Sequence, residues 1–263
     1  MHRKRVIVAF LLGPLLCAYV LFLPGYFFLI LLAAASSVAL AEFYSMTEVG
    51  GGLKYTGLVL SAALLALDYY LPSYFSEGIL LCVLAFLTVR LFMTRDPSRS
   101  VAQVSASVLG MVYIPGMLAF QFGLVRHNPA FIVMLYIAVW FSDSAAYYVG
   151  KGLGKKKLYV EVSPNKTVAG AYGSVLGGIL GALLVRFVLI AALPLEQTVL
   201  IGACIGTSTI VGDLAESMLK RDAGIKDSGT LLPGHGGLLD KIDGVTFAGP
   251  VMYWLCRGLG LIN

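Results

Sequence analysis

The sequence predicts an all-α polytopic membrane protein of about nine transmembrane helices, and three observations carry that prediction. Of the 263 residues, 59% are hydrophobic and only 13% charged, with a mean hydropathy of +0.87; a soluble domain carries about 25% charged residues. The apolar residues gather into windows near the roughly 20 residues that cross a bilayer. Lysine and arginine sort to alternate connections between those windows. A sizeable soluble domain does not fit.

The windows lie at 6–23, 26–45, 55–72, 78–94, 101–124, 129–150, 168–193, 197–218 and 243–261. The first follows MHRKR and could pass for a secretory signal. It lacks a small-residue cleavage site and continues into a second apolar stretch, so it is read as a retained span. Pro24-Gly25 divides the first two windows, Pro72 and Ser73 end the third, Asn128-Pro129 separates the fifth from the sixth, and Pro194 closes the seventh. Most connections are tight turns. The exceptions, 151–167 and 219–242, hold most of the polar residues of the second half. The chain thus divides into an N-terminal transmembrane bundle, 1–125, and a C-terminal region, 126–263, that carries both long loops.

With the N-terminus inside, 16 of the 19 Lys and Arg residues fall on one side, leaving Arg126, Arg186 and Arg257. Cytoplasmic connections carry such an excess, so both long loops are expected to face the cytoplasm, as in a bacterial inner-membrane protein. The net charge of +5 therefore marks membrane orientation and not a nucleic-acid partner. The four cysteines sit in apolar stretches without a CxxC, which suggests neither a disulfide framework nor a zinc cluster. Gly173, Gly177 and Gly181 recur every four residues in the seventh window, a spacing that lets another helix approach closely. Packing within the chain is the first reading of that stripe and a homodimer seam the second. Arg186, deep in the same window, is expected to pair with Asp68 or to snorkel outward.

Acidic residues inside spans are costly and usually face a bundle interior or a watery cavity. Asp143 in the sixth window, Asp213 in the eighth, and Asp240 and Asp243 at the start of the ninth all fall toward the same membrane face. Asp213, Glu216, Ser217 and Lys220 follow an i, i+3, i+4, i+7 spacing and share one helical face. A solvated helix end with local ion pairs would suit Glu216 and Lys220, but Asp213 lies too deep for it. The sharper reading is a site for Mg²⁺ or a similar hard cation, alone or with a second cation, with Asp143, Asp213 and Asp240 as ligands.

The connection before the ninth window, KDSGTLLPGHGGLLDKIDG, sets Lys226, Asp227, His235 and Asp240 among glycines that include Gly234, Gly236 and Gly237. Backbone amides freed of side chains can cradle phosphate. It is not a P-loop; the nearest approach, Gly150 to Lys155, has the wrong spacing and no Ser or Thr after the lysine. In the other connection, Lys155, Lys156 and Lys157 suit anionic lipid headgroups. Ser163, Lys166 and Thr167 lie at the start of a helix, where free amides and the dipole favour an anion.

The stretch from Ser217 to Asp243, SMLKRDAGIKDSGTLLPGHGGLLDKID, resembles the signature of the phosphatidate cytidylyltransferase (CDP-diacylglycerol synthase) family. The upstream WFSDSAAY and SPNKTVAG segments are similar to family motifs at the expected distance. Two positions depart from the pattern: Lys241 stands where arginine is usual, losing its bidentate fork, and Ala169 stands where glutamate is common. The resemblance is close over residues 129–255. It implies a membrane transferase that makes CDP-diacylglycerol and pyrophosphate from CTP and phosphatidate with divalent metal, often as a dimer. Implied catalytic residues are Asp143, Asp213, Lys220, Arg221, Lys226, Asp227, His235, Asp240 and Asp243. Implied substrate contacts are Ser163, Lys166, Thr167, Ser217, Gly234, Gly236, Gly237 and Lys241. A CTP-dependent polyprenol kinase would use similar carboxylates, and an ion-coupled transporter would bind its ion with Asp143, Asp213 and Asp240 near the bilayer midplane.

Overall fold

A computed structural model describes residues 13–93, 96–229 and 236–262. Its helices are α1 (Gly13–Phe22), α2 (Gly25–Met46), α3 (Gly51–Tyr70), α4 (Phe75–Met93), α5 (Ser100–Met111), α6 (Met117–His127), α7 (Pro129–Leu153), α8 (Val168–Leu189), α9 (Leu195–Asp222) and α10 (Leu239–Gly258). Each apolar window of the sequence meets one helical segment, with α5 and α6 together filling the fifth. Six segments among the described residues are long and apolar enough to cross a membrane, and the protein is membrane-embedded. The other three are α1, of which ten residues are described, α3, which carries Lys54 and Asp68, and α10, which opens with Asp240, Lys241 and Asp243. The basic N-terminal residues, Arg95, Gly234 and His235 lie outside the described residues.

Two features depart from the expected layout. Residues 151–167 are not a plain loop: α7 continues to Leu153, and β1 (Lys157–Tyr159) pairs antiparallel with β2 (Ser163–Thr167), Lys157 opposite Thr167 and Tyr159 opposite Ser163. The fifth window is not one regular helix. Pro115 lacks an amide N–H and its ring crowds the preceding turn, and the chain accommodates it in a π-helical turn over Val112–Gly116.

The glycine stripe of α8 serves packing inside the chain, the first of the two readings above. A Cβ at Gly181 would stand 2.7 Å from the Ala138 Cα on α7, and one at Gly173 2.8 Å from the Ala145 carbonyl oxygen. On the other side of α8, a Cβ at Gly206 of α9 would stand 2.5 Å from the Ser174 carbonyl oxygen. The backbones are close enough for the Ser142 hydroxyl to donate to the Ser174 carbonyl (3.0 Å) and the Ser174 hydroxyl to the Gly206 carbonyl (3.0 Å). Three helices are thereby packed backbone to backbone, and the polar ends they carry are drawn together.

The connections sort to two ends of the bundle. At one end Arg99 pairs with Glu48 (2.6 Å), and the Arg221 Nε donates to the Val162 carbonyl (3.3 Å), tying the hairpin to the end of α9. At the other end Arg126 reaches Asp68 (3.2 Å). Arg186 therefore does not pair with Asp68; near the end of α8 it instead donates from Nε to the Leu193 carbonyl (2.6 Å), closing the turn into α9.

Candidate active site

The polar end of α7 to α10 encloses a cavity of about 750 Å³. Its carboxylate wall is Asp143, Asp213, Glu216, Asp240 and Asp243, and its basic wall is Lys151, Lys157, Lys166 and Lys220. The close helix packing sets this up locally. At Gly212 a Cβ would stand 2.8 Å from the Asp243 carbonyl oxygen, so the residue before Asp213 has no side chain and α10 can bring Asp243 alongside. On α9, one turn separates Asp213 from Glu216, which puts both on the face turned to α10.

Asp213, Glu216 and Asp243 each offer an oxygen, and the three oxygens lie within 4.8 Å of one another. Like charges this close repel strongly unless a cation or neighbouring lysines offset them. Glu216 is 1% exposed, and its Oε1 is buried without a hydrogen-bond partner among the described residues. A buried carboxylate oxygen left in that state, beside two others, fits a hard cation that takes oxygen ligands. The three carboxylates that lie closest are thus not the three expected from sequence to be ligands. Asp143 lines the same cavity from α7, and Asp240 is committed to other partners.

Those partners make Asp240 a hub. Its Oδ1 accepts from Lys220 Nζ (2.5 Å), and its Oδ2 accepts from the Ser228 amide (3.0 Å), the Ser228 hydroxyl (3.0 Å) and the Gly237 amide (2.8 Å). Lys220 also donates to Glu216 Oε2 at 2.6 Å and is buried. The i, i+4 pair of the predicted stripe is therefore present, but as part of a desolvated network and not at a solvated helix end. Ser217 donates to Asp213 Oδ1 at 3.3 Å, holding that carboxylate's second oxygen. Lys166 Nζ lies 2.5 Å from Asp213 Oδ2.

The remaining expected residues fall as follows. Thr167 caps α8, its hydroxyl accepting from the Gly170 amide (3.1 Å), and it lines the cavity together with Ser163. Arg221 donates to backbone carbonyls of Val162 and Ile225. Lys226 and Asp227 are exposed on the segment after α9, and Lys241 is exposed on the first turn of α10. Gly236 takes a left-handed φ of 83°, in the turn that delivers the Gly237 amide to Asp240. His235 and Gly234 lie outside the described residues.

Sequence reasoning passed over Lys151 and Lys157 as cavity residues, since nothing in a loop lysine says which way it faces. It also passed over Glu42 of α2, whose carboxylate meets the start of α10. An acid embedded in an apolar window was the available signal. Tyr113, in the π-helical turn, is 4% exposed, packs against Phe247 of α10 with ring centroids 5.9 Å apart, and has no hydrogen-bond partner for its hydroxyl among the described residues.

The arrangement suits phosphate chemistry in which negative charge must be gathered and offset at one end of a membrane bundle. The profile of the cytidylyltransferase family matches residues 3–259. A protein of Bacillus subtilis (strain 168) described as phosphatidate cytidylyltransferase is 36% identical over 241 residues, covering 87% of this chain and 88% of its own length. A protein of Pseudomonas aeruginosa with the same description is 34% identical over 99% of this chain and 98% of its own length. A third, from Synechocystis, is 30% identical, with 97% and 96% covered.

Proposed function

The chain belongs to the cytidylyltransferase family, and on that premise we propose that it transfers cytidylyl from CTP to phosphatidate, giving CDP-diacylglycerol and pyrophosphate. The observation that carries the reading is the close trio of Asp213, Glu216 and Asp243 in one cavity with Lys166 and Lys220. In this reaction a phosphate oxygen of phosphatidate attacks the α-phosphorus of CTP, so the nucleophile is already anionic and needs no strong general base. The barrier is the approach of two polyanions and the spread of negative charge over phosphate oxygens in the transition state.

The residues divide that work. Asp213, Glu216 and Asp243 would hold a divalent cation, Mg²⁺ alone or with a second cation, which supplies positive charge at the reacting phosphate. Lys166, paired with Asp213 across the cavity, is placed to exchange that carboxylate for a substrate phosphate. Lys151 and Lys157 offset further phosphate charge from the cavity wall. Lys220 stays with Glu216 and Asp240 and fixes their orientation. Asp143 closes the cavity on the α7 side. Lys226, Asp227, Gly236, Gly237 and Lys241, on and after the glycine-rich segment, would serve the nucleotide. The excess of Lys and Arg on one side favours a cytoplasmic N-terminus and site in a bacterial inner membrane, where soluble CTP and membrane-held phosphatidate meet.

Product analysis with labelled CTP tests the reading on purified protein in detergent with phosphatidate and Mg²⁺. Label in the α-phosphate is expected in the lipid product and label in the γ-phosphate in pyrophosphate. Lipid labelled from the γ-position would identify a kinase instead, for which a polyprenol is the substrate to try.

A further inference from the structure

Glu42, on α2 in the N-terminal half, holds the entrance of α10 from nearly 200 residues away in sequence. Its Oε1 accepts from the Leu238 amide (2.9 Å) and its Oε2 from the Leu239 amide (2.8 Å) and the Ser228 hydroxyl (3.3 Å). The start of α10 has no side-chain cap of its own, since Leu238 occupies that position. Glu42 does from another helix what the glutamate of a capping box does within one. Two glycines make room for it: a Cβ would stand 2.7 Å from Glu42 Oε1 at Gly229 and 2.5 Å from Oε2 at Gly237.

The contact does not stop at the cap. The single proton of the Ser228 hydroxyl is shared between Asp240 at 3.0 Å and Glu42 at 3.3 Å, Asp240 meets Lys220 at 2.5 Å, and Lys220 meets Glu216 at 2.6 Å. Glu216 is one of the three carboxylates close enough to share an ion. A continuous polar chain thus runs from α2 through the glycine-rich segment to the proposed cation site.

We infer that Glu42 is a positioning residue for that site, so that the N-terminal bundle is part of the catalytic unit and not only a membrane anchor. The inference rests on the reaction proposed above. Outer partners of metal ligands act by fixing ligand orientation, and their loss costs about 10- to 100-fold in metal affinity or activity. A merely structural cap would lower stability and leave the metal requirement of the folded protein alone.

Glu42→Gln is the sharp test, because it keeps the shape but turns an amide NH₂ toward a backbone N–H that needs an acceptor. In full-length protein in detergent, kcat is expected to fall about 10- to 100-fold and the Mg²⁺ concentration for half-maximal rate to rise about 10-fold, with KM for phosphatidate within about twofold. Glu42→Asp, which retains both acceptor oxygens, is expected to recover part of the loss. Glu48→Gln, which breaks only the exposed pair with Arg99, is expected to match wild type. Wild-type kcat and Mg²⁺ dependence in Glu42→Gln, or a loss confined to melting temperature, overturns the inference. If Glu42→Gln does not fold, Ser228→Ala carries the test: it removes the hydroxyl that joins Glu42 to Asp240 while leaving the Ser228 amide on Asp240 and both α10 amides on Glu42, and an unchanged Mg²⁺ requirement there overturns the inference. Turnover in Asp213→Asn would instead overturn the site itself, so the two failures are distinct.

Discussion

Lys166 and Asp213 face each other across the cavity, Nζ to Oδ2 at 2.5 Å, one on the strand leading into α8 and the other on α9. Both are partly exposed, so the pair contributes little to stability. In the proposed reaction Lys166 is instead a cation that a phosphate would draw away from the carboxylate. Lys166→Ala is expected to raise KM for CTP or phosphatidate by about 10- to 100-fold, the loss of one charged hydrogen bond. Lys156→Ala, which removes a lysine outside the cavity wall, should stay within about twofold in a steady-state assay. Equal effects would mean that the wrong lysine has been assigned to phosphate.

Asp213 and Asp240 separate chemistry from architecture. Asp213→Asn removes an oxygen ligand from the close trio and is expected to cut product formation by about 1,000-fold or more, as the loss of several kcal/mol of charge stabilisation requires. Its melting temperature in detergent should hold. Asp240→Asn is expected to remove activity as well, but it also leaves Lys220 or a backbone amide facing an NH₂ group. It should therefore cost about 1–3 kcal/mol of stability, read as a lower melting temperature. Wild-type turnover in either variant would count against the site.

The helices were legible because spans leave a strong signal: about 20 apolar residues in a row, punctuated by Pro24, Pro72, Pro129 and Pro194. Asp213 was legible for the same reason, as an acid inside an apolar window, although its side chain is partly exposed in the cavity and the more deeply buried groups are Glu216 and Lys220. The hairpin over 157–167 was not, because strands of three and five residues have no period to read and owe their form to each other. The π-helical turn at Pro115 lay hidden inside a continuous apolar window. Which carboxylates come close to one another depends on how α10 lies against Gly212, a tertiary fact that spacing along one helix does not contain. For that reason Asp243, together with Glu216 at 1% exposure, stands beside Asp213 in the close trio where Asp143 and Asp240 were expected.

Metal removal has a readout apart from turnover. A ligand that binds only the folded state stabilises it by RT ln(1 + [L]/Kd), about 2.7 kcal/mol at 100 times Kd. Adding Mg²⁺ to chelator-treated protein is expected to raise the melting temperature of wild type and to restore activity. The same addition should leave the melting temperature of Asp213→Asn unmoved. A rise of equal size in both would locate the stabilising ion elsewhere.

The approach of α8 and α9 can be tested by adding a single methyl group. At Gly206 a Cβ would meet the Ser174 carbonyl oxygen at 2.5 Å and the Val175 Cα at 2.8 Å, all backbone that no rotamer change can move. Gly206→Ala must push the helices apart, costing about 1–3 kcal/mol by overpacking. Because Lys166 enters at the head of α8 and Asp213 lies two turns along α9 from Gly206, the same displacement should open their pair and lower kcat as well. At Gly258 nothing stands within 4 Å of the added carbon, so Gly258→Ala is expected to leave kcat unchanged and the melting temperature equal or slightly higher, alanine being the better helix former. Comparable losses in the two variants would show that the effect at Gly206 is not the contact with α8.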